Sequence, residues 1–235
     1  MGKKKVAILL CDDHYPEAIE QFGDYSQTLA KLFDDGFELY GSWNCYLDEF
    51  PTANQQLEAD IWLVSGSKYS VNDDDSWVAQ LEQLVKQLDE KQKRLFGICF
   101  GHQMIHKALG GKVEQRKEGF AVGLKPVYID DFSSLPLSGE SLLFMHQEEV
   151  TSLGKGFRRI GYSEHCENAV TIDQKGNLTV QYHPEFVIDF FALLCQRVEF
   201  DNKQAIVEAC YQGKERYHRQ SSNFIKALNH YLLSV

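Results

Sequence analysis

This 235-residue sequence predicts an α/β fold: an open, mainly parallel sheet with helices on both faces and extra antiparallel strands. Three observations carry the prediction. Short continuous apolar runs occur at 6–11, 61–65 and 95–99; segments of helical period lie between and after them; and from residue 112 to about 182 the texture turns to alternation punctuated by turn residues. Continuous runs suit parallel strands covered on both faces, and strand–helix–strand alternation suits an open sheet.

In chain order, the run 6–11 is bounded by Lys3, Lys4 and Lys5 before it and by Asp12 and Asp13 after it. The run 61–65 leads to Asp73, Asp74, Asp75 and Ser76, beyond which Val78, Leu81, Leu84, Val85 and Leu88 mark one face of a helix over 77–88. Negative charge is favoured at a helix N-terminus, so the acidic cluster reads as a cap rather than a metal site. The run 95–99 passes straight into a helix over 100–109, with Met104, Ile105, Ala108 and Leu109 on its buried side. Segments 123–129, 142–146, 157–162 and 178–182 read as antiparallel strands added to the same domain. The tail is helical, with Phe224, Ile225, Leu228, Tyr231 and Leu232 forming one apolar stripe that packs on the core. The expected organisation is a domain over 1–190 and a helical extension over 191–235 packed on it.

Composition narrows the function classes. With 43% hydrophobic residues, 25% charged residues and only 5 prolines, the chain buries a core and is not disordered. A net charge of -10 repels phosphate backbones and anionic lipid, which excludes a general nucleic-acid binder and argues against a membrane partner. No apolar run approaches ~18 residues, and the first is too short for a secretory segment, so a cytoplasmic location is expected. Cys11, Cys45, Cys99, Cys166, Cys195 and Cys210 form no CxxC pair and imply neither a disulfide framework nor a zinc knuckle.

The residues able to carry chemistry begin with Gly97-Ile98-Cys99-Phe100-Gly101. A nucleophile on a tight strand-to-helix turn needs small residues two positions away on each side, and glycines stand there. The helix that follows favours negative charge near its start and aims backbone N–H groups at an oxyanion. The plain alternative is a buried structural cysteine; the glycine frame favours the nucleophile. Such a thiol needs a base and a group that orients it. In Tyr182-His183-Pro184-Glu185, proline fixes the chain after the histidine and Glu185 stands two residues on; His183 by itself is an ordinary strand-end histidine, and its meaning comes from Cys99. His102 and His106 are four apart on one helix, but no acidic or cysteine ligand adjoins them, so no metal is expected. No GxxxxGKS/T or GxGxxG loop occurs, so no nucleotide cofactor is expected.

Gly97-Ile98-Cys99-Phe100-Gly101-His102-Gln103, followed some eighty residues later by Gln181-Tyr182-His183-Pro184-Glu185-Phe186, resembles the paired motifs of class I glutamine amidotransferase domains. Val64-Ser65-Gly66-Ser67 is similar to the family's oxyanion loop, and His146-Gln147 with Val150 to its substrate-side histidine segment. The resemblance covers 3 to about 190. It is nearest the stand-alone, GMP synthase-like branch, through 67–75, 112–123 and 163–166. It implies a flavodoxin-like sheet, with Cys99 as nucleophile, His183 as base and then acid, Glu185 as its orienter, and Phe100 with Gly66 or Ser67 as the oxyanion hole. Gln103, His146 and Gln147 become the substrate-binding residues. The family often has glycine at position 67, where this chain has serine.

The implied activity is hydrolysis of the γ-amide of glutamine or a γ-glutamyl compound through a glutamyl thioester, by a stand-alone enzyme with no cofactor and a small-molecule substrate. Two alternatives stay open. One is a glutaminase subunit supplying ammonia to a separate synthetase; the other is a catalytically silent ligand-binding or regulatory protein on the same fold.

Overall fold

The computed structural model describes residues 2–130 and 138–234, with side chains from 139 in the second stretch. The chain begins with β1 (Lys4–Leu10), α1 (Pro16–Phe22), α2 (Tyr25–Ala30) and β2 (Phe37–Asn44), and continues with α3 (Gln55–Glu58), β3 (Ile61–Val64) and α4 (Ser76–Glu90). Next come β4 (Arg94–Ile98), α5 (Phe100–Ala108), β5 (Lys112–Gln115), β6 (Ala121–Ile129) and β7 (Ser138–His146). The chain then forms β8 (Glu148–Ser152), β9 (Arg158–Ser163), β10 (Cys166–Ile172) and β11 (Leu178–Val180). Three helices close it: α6 (Ile188–Cys195), α7 (Lys203–Gln212) and α8 (Lys214–Ser234).

Among the described residues nine strands form one sheet in the order β2-β1-β3-β4-β11-β10-β9-β6-β7. The first five are mutually parallel. From β11 onward every pairing is antiparallel. The parallel part thus has the flavodoxin-like order, whose reversal between β1 and β3 places a crevice at the carboxyl ends of the strands. β5 and β8 pair separately.

The apolar runs are continuous because the inner parallel strands β1, β3, β4 and β11 are buried on both faces. Ile8, Leu63, Phe96 and Val180 point to one layer, which holds Phe191 of α6 and Phe224, Leu228 and Leu232 of α8. Leu9, Trp62, Val64 and Leu95 point to the other, formed by Leu81 and Val85 of α4 and Met104 and Ile105 of α5. The expected tail stripe is present on α8 and lies in the first layer. Asn229 of α8 ties it down further, donating to the Leu32 carbonyl at 2.8 Å. Among the described residues no helix is long and apolar enough to cross a membrane.

Two local expectations change, and one strand is added to them. The segment 178–182 is not simply an antiparallel addition: β11 runs parallel to β4 and antiparallel to β10, so it is the hinge between the two halves of the sheet. Asp75 is the N-cap residue of α4, but no side chain caps it, and the Asp73 carboxylate instead accepts the Ser70 N–H at 2.9 Å. β2, a half-exposed edge strand, carries no continuous apolar run and was not foreseen.

Candidate active site

Cys99 sits between β4 and α5 with φ 50° and ψ -103°, a left-handed conformation that L side chains rarely adopt. The turn is held on both sides: the Cys99 N–H donates to the Val180 carbonyl at 2.9 Å, and its own carbonyl accepts the Gln103 N–H at 3.0 Å. The glycine frame is a packing requirement. A Cβ on Gly97 would lie 2.7 Å from the Gly101 backbone, and one on Gly101 would lie 2.0 Å from the Val64 carbonyl oxygen. Strain of this kind persists only where the surroundings impose it, and it collects at functional sites. The sulfur lies 3.8 Å from the Met145 carbonyl oxygen.

His183 follows β11, and its N–H is pinned to the Leu143 carbonyl of β7 at 2.8 Å. Its Nδ1 bonds Glu185 Oε1 at 2.8 Å, and its ring lies flat on Phe186 with centroids 4.0 Å apart. A carboxylate only accepts, so Nδ1 carries hydrogen and Nε2 is left for the cysteine side. Burial lowers the tendency of this imidazole to protonate, but Cys99 and then Glu185 outweigh it and raise the pKa to about 10. His183 is thereby favoured in the charged form that can give a proton to a leaving group.

The loop after β3 is tied to the chain after β1. Ser65 Oγ accepts the Cys11 N–H at 2.9 Å, Ser67 Oγ donates to the Cys11 carbonyl at 2.8 Å, and the Lys68 N–H and Nζ both bond Asp12, at 3.1 and 2.7 Å. Position 67 does not need glycine here, since Ser67 is not among the described residues with positive φ. Its hydroxyl braces the loop. The Gly66 N–H is taken by the Tyr25 hydroxyl at 3.2 Å, whereas among the described residues no hydrogen bond engages the Ser67 amide. Tyr25 also donates to Glu185 Oε1 at 2.9 Å. Sequence reasoning missed it, because a tyrosine opening a six-residue helix lies in no motif.

On the opposite wall, the Gln103 side-chain NH2 donates to the Glu148 carbonyl at 2.7 Å and to Gln181 Oε1 at 3.1 Å, leaving its oxygen for the cleft. His146 Nδ1 donates to the same Glu148 carbonyl at 2.8 Å. Burial pushes the His146 pKa down to about 3, so this ring is neutral near pH 7 and its Nε2 is a bare acceptor. Cys99, Phe100, Gly66, Ser67, Gln103, His146, Gln147 and His183 all line one cleft of about 200 Å3, and Glu185 is buried behind His183. His102 and His106 lie on the buried face of α5, where they bond Thr179 and Thr171 at 2.7 and 2.9 Å. The cleft also receives residues beyond 190: Leu194, Arg197 and Val198 line it, and Arg197 pairs with Glu17 and lies over the Tyr15 ring.

The chain is 28% identical over 204 residues to γ-glutamyl peptidase 4 of Arabidopsis thaliana, covering 83% of this chain and 81% of that one. It is 34% identical over 140 residues to a glutamine-hydrolysing GMP synthase of Bartonella henselae, covering 57% of this chain but 26% of that protein. A solved glutamine amidotransferase of Methylobacillus flagellatus superposes with a TM-score of 0.76 at 17% identity, covering 100% of this chain and 96% of that one. The sequence model of the class-I glutamine amidotransferases matches residues 38–191, so the chain belongs to that family.

Proposed function

We propose that the protein hydrolyses a γ-glutamyl bond through a Cys99 thioester, acting without a partner subunit. The observation that carries this reading is the placement of Cys99, at φ 50° on a braced turn, in the same cleft as a His183 held by Glu185. The Cys99 sulfur attacks the γ-carbonyl carbon and the carbonyl electrons move onto oxygen, where the Phe100 amide and one amide of the loop 66–67 receive the charge. Collapse of the intermediate breaks the C–N bond, and His183 gives its proton to the departing nitrogen. His183 then takes a proton from water, which attacks the thioester and releases glutamate with the Cys99 sulfur restored. Gln103 and His146 face the glutamyl portion. The extension over 191–235 belongs to the same functional unit, because Leu194 and Val198 line the cleft.

Likeness over most of both chains to a protein named γ-glutamyl peptidase supports a γ-glutamyl peptide substrate. A second reading, a glutaminase subunit feeding a synthetase, draws support from the GMP synthase likeness. The assay that separates them uses the purified chain alone on glutamine and on γ-glutamyl peptides. Peptide turnover well above glutamine, lost in Cys99→Ala, is the expected outcome. Silence on all substrates that is relieved by a synthetase transfers the function to the second reading. Silence together with no mass increase at Cys99 from a glutamine-analogue label leaves a ligand-binding protein.

A further inference from the structure

Tyr25 is held from three directions. Asp24 caps the helix it opens, accepting the Gln27 N–H at 2.8 Å; the Tyr25 N–H donates to Asp13 Oδ1 at 3.2 Å; and its ring packs against His14 with centroids 4.9 Å apart. The hydroxyl is buried between two groups that dictate its orientation, because the Gly66 amide can only donate and the Glu185 carboxylate can only accept. The chain of bonds is therefore directed: Gly66 N–H to Tyr25 oxygen, Tyr25 O–H to Glu185 Oε1, with His183 Nδ1–H arriving at the same Oε1 from the other side. Burial first, and then the Glu185 charge, hold the phenol protonated well above its ordinary range, which keeps it a donor. A tyrosine present merely to satisfy a buried carboxylate has an obvious target in Glu185 Oε2, which has no hydrogen-bond partner among the described residues. Instead the hydroxyl joins His183 on one oxygen.

We propose that Tyr25 is a positioning residue that locks the oxyanion loop to the general base, holding the Gly66 amide out of the reaction centre so that Ser67 and Phe100 present the oxyanion donors. The proposal rests on the Cys99–His183–Glu185 reading and adds two things to it: it settles which loop amide serves, and it makes loop and base one mechanical unit. Losing the hydroxyl frees the Gly66 amide to turn and removes one of the two donors that fix Glu185. The loop's departure damages steps that build negative charge on the carbonyl oxygen and spares sulfur chemistry that builds none.

The test is Tyr25→Phe, which removes one oxygen and keeps the ring. Turnover of a γ-glutamyl peptide should lose about 10- to 100-fold in kcat with KM changed less than about twofold, somewhat less than direct removal of an oxyanion donor. In parallel, Cys99 is treated with methyl methanethiosulfonate. There the thiolate attacks the sulfenyl sulfur and expels methanesulfinate, so no carbonyl oxyanion forms, and the rate should stay within about threefold of the parent. Unchanged kcat overturns the proposal, as does a parallel fall of turnover and thiol modification, which makes Tyr25 a support of the base alone. A rise in KM at constant kcat also overturns it, by making Tyr25 a binding residue. Should Tyr25→Phe fail to fold, 3-fluorotyrosine at position 25 keeps the hydroxyl and alters its hydrogen-bond strength. It should shift kcat by about threefold, and no shift overturns the proposal. These outcomes count only where turnover disappears in Cys99→Ala; turnover that survives that substitution removes the triad reading itself.

Discussion

Gly101 rests directly on the end of β3, its Cα so near that an added Cβ would lie 2.0 Å from the Val64 carbonyl oxygen and 2.6 Å from its carbon. The obstruction is backbone, which cannot rotate aside as a side-chain tip does. The Cys99 turn and the loop 65–67 therefore meet at this contact, since Val64 leads into Ser65, Gly66 and Ser67.

Gly101→Ala should accordingly cost about 1–3 kcal/mol of stability, or more, as an overpacked core does, and should lower kcat by at least about tenfold in the fraction that folds. Urea unfolding and steady-state kinetics measure the two effects. Full stability with full activity in this variant contradicts the geometry at the start of α5.

The strain at Cys99 gives a second expectation. Cys99→Ala and Cys99→Gly should both abolish hydrolysis, but glycine alone tolerates φ 50° and ψ -103°. After allowance for the greater freedom of glycine in the unfolded chain, Cys99→Gly should be about 1 kcal/mol more stable than Cys99→Ala. Denaturation midpoints give the comparison directly, and an alanine variant at least as stable as the glycine one means that the turn is unstrained.

The strongest elements were legible for physical reasons that also explain what was not. Runs such as 61–65 announce themselves because both faces of β3 are buried, and Gly97 and Gly101 because their neighbours leave no room for a Cβ. β2 escaped because an edge strand with Leu39 half-exposed carries no clear period. β8 escaped because its pairing partner β5 is distant in sequence, whereas β10 pairs with its chain neighbours β9 and β11, against β9 through an irregular register. Cys99, His183 and Glu185 could be read from local motifs, whereas Tyr25 reaches Glu185 across 160 positions of chain and only the fold joins them. The bracing of the loop 65–68 on Cys11 and Asp12 was hidden for the same reason.

Acid should unfold the protein through histidines buried in neutral form. Burial holds His106 at about 3 and His146 at about 3, and it holds His102 well below its usual value. Their unfolded counterparts titrate near ~6.5, so below that pH the unfolded chain binds more protons than the folded one. Their contribution to stability is complete above ~6.5 and is lost as pH falls toward about 3, with a slope reaching about 4 kcal/mol per pH unit when all three count. His106→Gln should reduce the slope between pH 5.5 and 4 by about a third, whatever it does to stability at pH 7. Urea titrations at several pH values measure this, and an unaltered slope shows that His106 is not buried neutral.

In the proposed mechanism the direction in which the leaving group departs is set by the ring against His183. Phe186 stacks on the imidazole at 4.0 Å, Phe190 meets Phe186 at 4.8 Å, and the wall continues along α6 to Leu194 and Val198. In the proposed mechanism His183 protonates the departing nitrogen, so whatever that nitrogen carries would emerge over this apolar wall. Ammonia needs no such wall, but the amino-acid side chain of a γ-glutamyl peptide does. Val198→Asp, at a half-buried position past the end of α6, sets a charge where that side chain must lie. It should cut kcat/KM for a γ-glutamyl peptide with an apolar second residue by about tenfold or more, and for glutamine by less than about twofold, since only the first substrate reaches so far. Equal losses on both substrates mean that the wall is not the leaving-group side. A parent enzyme that prefers glutamine, with Val198→Asp harmless on every substrate, turns the argument toward ammonia as the product and toward a synthetase that consumes it.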